Sequence, residues 1–248
     1  MSIEPTEFWG LHFVTDDVVR SSLDAVRSLA HVAALTTLTD KVRPAHTALL
    51  VIDMQNDFCA DDGFVAKGGR DVSLVRSMAK HLPGFIERAR CAGVLVVFVR
   101  CDYSTPQNRY LSDVWLEQAA RRQGGGYTLS PVCQSGQRGA EYYGVRPDDT
   151  DIVVTKHRYD AFHGTDLDLI LRSNGVRTVV LTGVSTHVCV ETTARTAFVR
   201  DYYTVVVADG CAAYSAQEHE ASLKVIDRFF AEVAVMDAIR PHWPAAAI

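Results

Sequence analysis

The sequence predicts an α/β fold: a three-layer α/β/α sandwich on a doubly wound, mostly parallel sheet, with an N-terminal helical extension. Three observations carry this. Short apolar runs rich in β-branched residues recur at 48–52, 94–99, 152–155, 178–182 and 203–208, and buried parallel strands read as such runs. Stripes of helical periodicity separate them, which implies crossover helices on both faces. Two of the runs deliver a charged side chain, Asp53 and Lys156, and a third leads within a few residues to Cys189. In an open parallel sheet such strand ends face one crevice.

Each element follows in order. Residues 16–38 carry apolar side chains at 19, 23, 26, 29, 30 and 33, a helical stripe that Thr15 can cap. The stripe can pack on the domain or on a second subunit. Residues 1–46 form the extension and 47–248 the main domain, with 41–46 as a linker between them. The first strand, 48–52, is apolar throughout and ends at Asp53. Residues 59–70 form a Gly-rich loop that lacks the G-x-x-x-x-G-K-[ST] phosphate pattern. A helix over 71–92 is kinked or split by Pro83 and stopped by Gly93.

The second strand, 94–99, leads into Arg100, Cys101, Asp102 and Tyr103. Residues 104–150 read as pocket-shaping loops around a helix at 113–122, with Tyr127, Tyr142 and Tyr143 as packing residues. The third strand delivers Lys156. Thr165 caps a helix over 166–174 that Gly175 stops. Next come the fourth strand, Cys189 and a helix over 191–200. The positive end of that helix would lower a thiol's pKa and bind a developing oxyanion. A fifth strand, a helix over 215–230 and an edge strand at 233–236 complete the domain.

Composition narrows the function. The chain has 248 residues, 48% of them hydrophobic, and a net charge of -5. That supports one sizeable core and offers no field for nucleic acid. No apolar stretch approaches the roughly twenty residues of a membrane span. The N-terminus lacks a basic start and apolar core. The six cysteines form no C-x-x-C pair. A cytoplasmic protein without membrane or nucleic-acid partners is expected.

Three ordered motifs go further: V-I-D-M-Q-N-D-F at 51–58, K-x-R-Y-x-A-F at 156–162 and T-G-V-S-T-H-V-C-V at 182–190. From about 47 to 237 the chain resembles the isochorismatase-like cysteine hydrolases, most closely their ureidoacrylate and N-carbamoylsarcosine amidohydrolase branch. The resemblance implies that Asp53 is the proton acceptor, Lys156 holds the ion cluster and Cys189 is the nucleophile. It implies an oxyanion hole from the Ser185 and Cys189 amides, with a cis peptide between Val184 and Ser185. It also makes Gln55, Phe58, Tyr159, Phe162, His163 and Thr186 candidate substrate contacts.

The expected activity is metal-independent hydrolysis of a C–N bond in a small carbamoyl, ureido or carboxamide substrate, through a thioester and without a cofactor. The zinc-ligand pattern Asp-x-His that nicotinamidases place after the second strand is absent, because Asp102 is followed by Tyr103 and Ser104. His157 and His163 read as surface or hydrogen-bonded groups, and His187 as a structural histidine. Relatives' assemblies imply a homo-oligomer, a dimer or tetramer. Two alternatives stand beside this reading. One is an isochorismatase-type vinyl-ether hydrolase, against which Cys189 argues. The other is a non-catalytic binding protein on the same fold.

Overall fold

The computed structural model describes residues 34–103, 109–121 and 132–244. Six strands form one sheet: β1 (Thr47–Ile52), β2 (Leu95–Cys101), β3 (Ile152–Lys156), β4 (Thr178–Val184), β5 (Tyr203–Ala212) and β6 (Glu232–Ala234). Their order is β3-β2-β1-β4-β5-β6, and every adjacent pair is parallel. The order therefore reverses between β1 and β4, where such sheets open a crevice at the strands' C-terminal ends.

Helices cover both faces, as parallel pairing requires. On one face lie α1 (Ser73–Ala79) and α2 (Leu82–Cys91). Their Val75, Leu82, Phe85 and Ile86 pack with Leu49, Val51, Phe98, Val180 and Trp243. A further helix, α3 (Asp113–Ala120), lies beyond β2 in sequence. On the other face, α4 (Leu167–Ser173), α5 (Glu191–Val199) and α6 (Ala216–Phe229) bury Leu167, Leu171, Ala194, Ala197, Leu223 and Ile226 against Leu50, Ile52, Val97 and Leu181. Alternate residues of β1 thus feed opposite cores, because successive side chains of a strand point to opposite faces.

The helix expected over 71–92 is two helices. Pro83 sits in the first turn of α2, where its missing N–H costs no hydrogen bond. Gly93 ends α2 at φ +78°, as expected of a stop. β2 runs on to Cys101 and β5 to Ala212, beyond the expected ends, with a register shift between Leu181 and Gly183 where β4 meets β5. The edge strand is shorter than expected, since Met236 already opens a helical turn. Thr165 accepts the Leu167 N–H at 3.3 Å, one position earlier than a regular cap.

The stripe expected over 16–38 lies outside the described residues except at its end. There the helix does not hold: residues 34–36 carry no regular structure, and Thr37 caps a new turn, Leu38–Lys41. The Leu35 N–H donates to the Tyr203 hydroxyl at 2.9 Å. Tyr127 also lies outside the described residues, whereas Tyr142 and Tyr143 pack against the core of α1 and α2.

Candidate active site

Three strand ends supply the site. Asp53 follows β1 with φ +52°, a left-handed conformation that Asp tolerates better than most residues. Its N–H donates to the Val99 carbonyl at 2.8 Å, and its own carbonyl accepts from the Gln55 N–H at 2.7 Å. Lys156 is the last residue of β3, in register with Cys101 of β2. β4 must come very close to β1 at Gly183, where a Cβ would meet the Ile52 carbonyl oxygen at 2.0 Å, so only glycine fits. The Val184–Ser185 peptide is cis. Cys189 sits in a five-residue π-helical turn, Thr186–Val190, that precedes α5. The Ser185 carbonyl accepts from the Val188 and Val190 N–H groups at 3.1 and 3.2 Å and anchors that turn.

These elements converge on the Lys156 ammonium. Its Nζ stands 2.8 Å from Asp53 Oδ2 and 3.5 Å from Cys189 Sγ, and donates to the Arg158 carbonyl at 3.1 Å. Lys156 is 0% exposed, Asp53 1% and Cys189 6%, so the cluster is nearly sealed from water. Burial works against the Lys156 charge, but Asp53 and Cys189 outweigh it and hold the ammonium above its ordinary pKa. Burial also raises the Asp53 carboxyl, with Lys156 and the Cys189 thiol opposing it.

Burial pushes the Cys189 thiol well up, Lys156 pulls it down and Asp53 pushes it up again. This corrects the expectation of a thiol acidified by a helix end. The cost of stripping water from a thiolate exceeds what one ammonium returns, and α5 begins only at Glu191, two residues after Cys189. Burial thus favours the neutral thiol beside the Lys156 ammonium.

The candidate substrate contacts divide. Gln55 is fully buried and fully used: its amide donates to the Cys101 and Ala140 carbonyls at 3.0 Å each and accepts the Cys101 N–H at 2.8 Å. It clamps the end of β2 and is not available to a substrate. Phe162 is also corrected, since it is 3% exposed and stacks on Tyr202 in the core under α4 and α5. Thr186 is buried with its hydroxyl 2.8 Å from His219 Nδ1, so it ties the turn that carries Cys189 to α6. His163 is exposed on the turn after Phe162, and among the described residues no contact joins it to Asp53, Lys156 or Cys189.

Phe58 is half-buried against the cluster of Cys101, Tyr103, Val132, Cys133 and Ala140. Tyr159 is half-buried beside the site, with ring centroids 4.7 Å from Trp115 and 6.3 Å from Tyr103. His187 fits its structural reading only partly: its Nε2 lies 3.9 Å from Glu218, while its buried Nδ1 has no hydrogen-bond partner among the described residues. His157 is hydrogen-bonded, donating from Nδ1 to the Asp102 carbonyl at 2.6 Å. Asp102 Oδ2 accepts from the Ser135 hydroxyl at 2.5 Å, and among the described residues no three His, Cys, Asp or Glu side chains gather as metal ligands.

Sequence reasoning missed Tyr103, which it noted only as following Asp102 where the Asp-x-His zinc pattern is absent. Its hydroxyl accepts from Lys156 Nζ at 3.3 Å and lies 3.9 Å from Cys189 Sγ. The available signal was its place just beyond β2, the strand that borders β3 and its terminal Lys156. Trp115 of α3, tilted against Tyr103 with centroids 5.4 Å apart, was missed with it.

Known proteins share this arrangement of chain. The sequence profile described as the Isochorismatase domain matches residues 47–238. A ureidoacrylate amidohydrolase of Klebsiella pneumoniae is 31% identical over 226 residues, which cover 82% of this chain and 91% of the relative. One from Variovorax paradoxus is 33% identical over 212 residues, covering 81% and 83%. Among solved structures, an N-carbamoylsarcosine amidase from Thermoplasma acidophilum superposes with a TM-score of 0.60 at 29% identity, over 77% of this chain and 97% of that one. A cysteine hydrolase from Pseudomonas syringae shares the fold, with a TM-score of 0.70 at 24% identity over 82% of this chain and 94% of that one. With its profile matched across the whole sheet, this chain belongs to the isochorismatase family of hydrolases.

Proposed function

We propose that this protein is a cysteine amidohydrolase acting on a small ureido, carbamoyl or carboxamide substrate, with no cofactor. The observation that carries the reading is the convergence of the buried Lys156 Nζ on both Asp53 (2.8 Å) and Cys189 (3.5 Å). An amide carbonyl is a poor electrophile, so its cleavage needs a nucleophile, a base and stabilisation of the oxyanion. Asp53 takes the thiol proton as sulfur attacks the carbonyl carbon. Coupling the two events fits a thiol that burial keeps neutral at rest.

The oxyanion then forms within reach of the Ser185 and Cys189 amides. Asp53 returns the proton to the leaving nitrogen, the C–N bond breaks, and a thioester remains on Cys189. Water, deprotonated by Asp53, attacks the thioester; the acid product leaves and the thiol is restored. Lys156 stays protonated throughout, since its charge balances Asp53 in one state and the thiolate in the next.

The curated relatives named as ureidoacrylate amidohydrolases support a ureido substrate. The test is a screen for ammonia release over ureido, carbamoyl and simple carboxamide compounds, with mass spectrometry of the quenched enzyme. The expected result is turnover of at least one class and an acyl adduct on Cys189. Turnover without any adduct, and unchanged by Cys189→Ala, would overturn the mechanism.

A further inference from the structure

The hydroxyl of Tyr103 occupies a place in the cluster that the triad does not account for. Its ring is 1% exposed and wedged between Trp115 and Tyr159, with centroids 5.4 and 6.3 Å away. The ring therefore cannot swing its hydroxyl elsewhere without opening this packing. The Lys156 ammonium lies 5.5 Å from the ring centroid and donates to the phenol oxygen at 3.3 Å. An oxygen that accepts there points its own O–H away from the ammonium, because the two positive hydrogens repel. Cys189 Sγ, 3.9 Å from that oxygen, is within range of a sulfur hydrogen bond.

We propose that the Tyr103 hydroxyl is a further catalytic group, which donates a hydrogen bond to the Cys189 sulfur as the thiol proton leaves for Asp53. The chain of donation runs from Lys156 N–H to Tyr103 O, and from Tyr103 O–H to the sulfur. Tyr103 keeps its proton, and charge moves only between Cys189 and Asp53. Such a donor is needed here because the sulfur becomes an anion in a site almost without water, where an unassisted thiolate is costly. Hydrogen bonds to charged groups are the stronger kind, and a donor fixed before the reaction needs no reorganisation during it. The proposal rests on Cys189 being the nucleophile, but it can be read without any substrate.

The experiment compares Tyr103→Phe with the parent in a Cys91→Ser background. Cys91 is exposed, whereas Cys59, Cys101, Cys133 and Cys211 are 0–3% exposed, so its removal leaves Cys189 as the most accessible thiol. Iodoacetamide rates at Cys189 are followed from pH 6 to 9 by peptide mass spectrometry. Phe keeps the ring packing and removes one hydroxyl. The expected result is an alkylation rate about three- to tenfold lower at each pH, the loss of one charge-assisted hydrogen bond over a long sulfur contact.

A fluorinated tyrosine at position 103, with a more acidic phenol and nearly the same shape, should move the rate the other way. This second variant keeps the test open if Tyr103→Phe folds poorly. Alkylation profiles that do not move in either variant overturn the proposal, even if turnover falls, because the phenol would then act on the substrate. Normal alkylation shifts in a protein that hydrolyses no amide would leave Tyr103 in place and remove the proposed reaction instead.

Discussion

Replacing Lys156 by Met tests the buried ion pair. Asp53 and Lys156 are 1% and 0% exposed and 2.8 Å apart. Met keeps the length of the side chain and removes the charge. At an effective dielectric of about 20, the lost attraction is roughly 6 kcal/mol. Asp53 limits the damage by taking up a proton. From an ordinary carboxylate value near 4, protonation at pH 7 costs about 4 kcal/mol, at roughly 1.4 kcal/mol per unit. The deficit should therefore be about 3–4 kcal/mol at pH 7, the range found when one partner of a buried pair is removed.

The sign with pH follows. In the variant the folded Asp53 carboxyl titrates above its unfolded value, so the folded state binds more protons between the two. Stability then falls as pH rises through that window and recovers as pH falls. At pH 5 the same bound is about 1.5 kcal/mol. Urea unfolding of both proteins at pH 5, 6 and 7 and one fixed protein concentration measures the difference. The double variant Asp53→Asn/Lys156→Met should recover most of the loss, because the uncompensated charge is gone. A deficit under about 1 kcal/mol at pH 7, or one that does not change with pH, would refute the reasoning.

Four other outcomes are expected. Cys189→Ala should fold normally and lose turnover; a tenth of the parent rate in steady-state assays would rule out covalent catalysis. Asp53→Asn should slow the chemical step by about 10²–10⁴-fold. It should at the same time speed iodoacetamide alkylation of Cys189, since the anion that raises the thiol is gone; slower alkylation would contradict this. His219, held down to about 4 by burial, stays neutral in the fold while the unfolded chain protonates near 6.5. Stability should thus fall as pH drops from about 6.5 to 4, by up to roughly 1.4 kcal/mol per unit from this residue. His219→Gln should flatten that part of a urea-midpoint profile. Finally, Phe198, Val199 and Phe229 are 51%, 75% and 58% exposed on α5, its edge and α6, apolar surface that favours self-association. Light scattering should give a homo-oligomer, and a mass of 27.3 kDa across a dilution series would count against it.

The sequence by itself determined the sheet and the strand ends that carry Asp53 and Lys156 and lead to Cys189. That information is local: a β-branched run shows a buried strand, a 3.6-residue stripe shows a covering helix, and a charge ending an apolar run marks the crevice. Pro83, Gly93 and Gly175 likewise announced breaks that the structure keeps. What only the tertiary structure decided is how polar groups are used once water has gone. Gln55 looks like a substrate ligand beside Asp53, yet it is bonded to residues 46 and 85 positions away. Thr186 is claimed by His219, 33 positions on. Phe162 falls on the core side of its turn, and Tyr103 joins Lys156 and Cys189 across 53 and 86 positions. The thiol's protonation was decided there too, because desolvation depends on every element packed around Cys189. Apolar burial leaves a periodic mark along the chain. Hydrogen-bond satisfaction and desolvation depend on neighbours that only folding brings together, so they leave none.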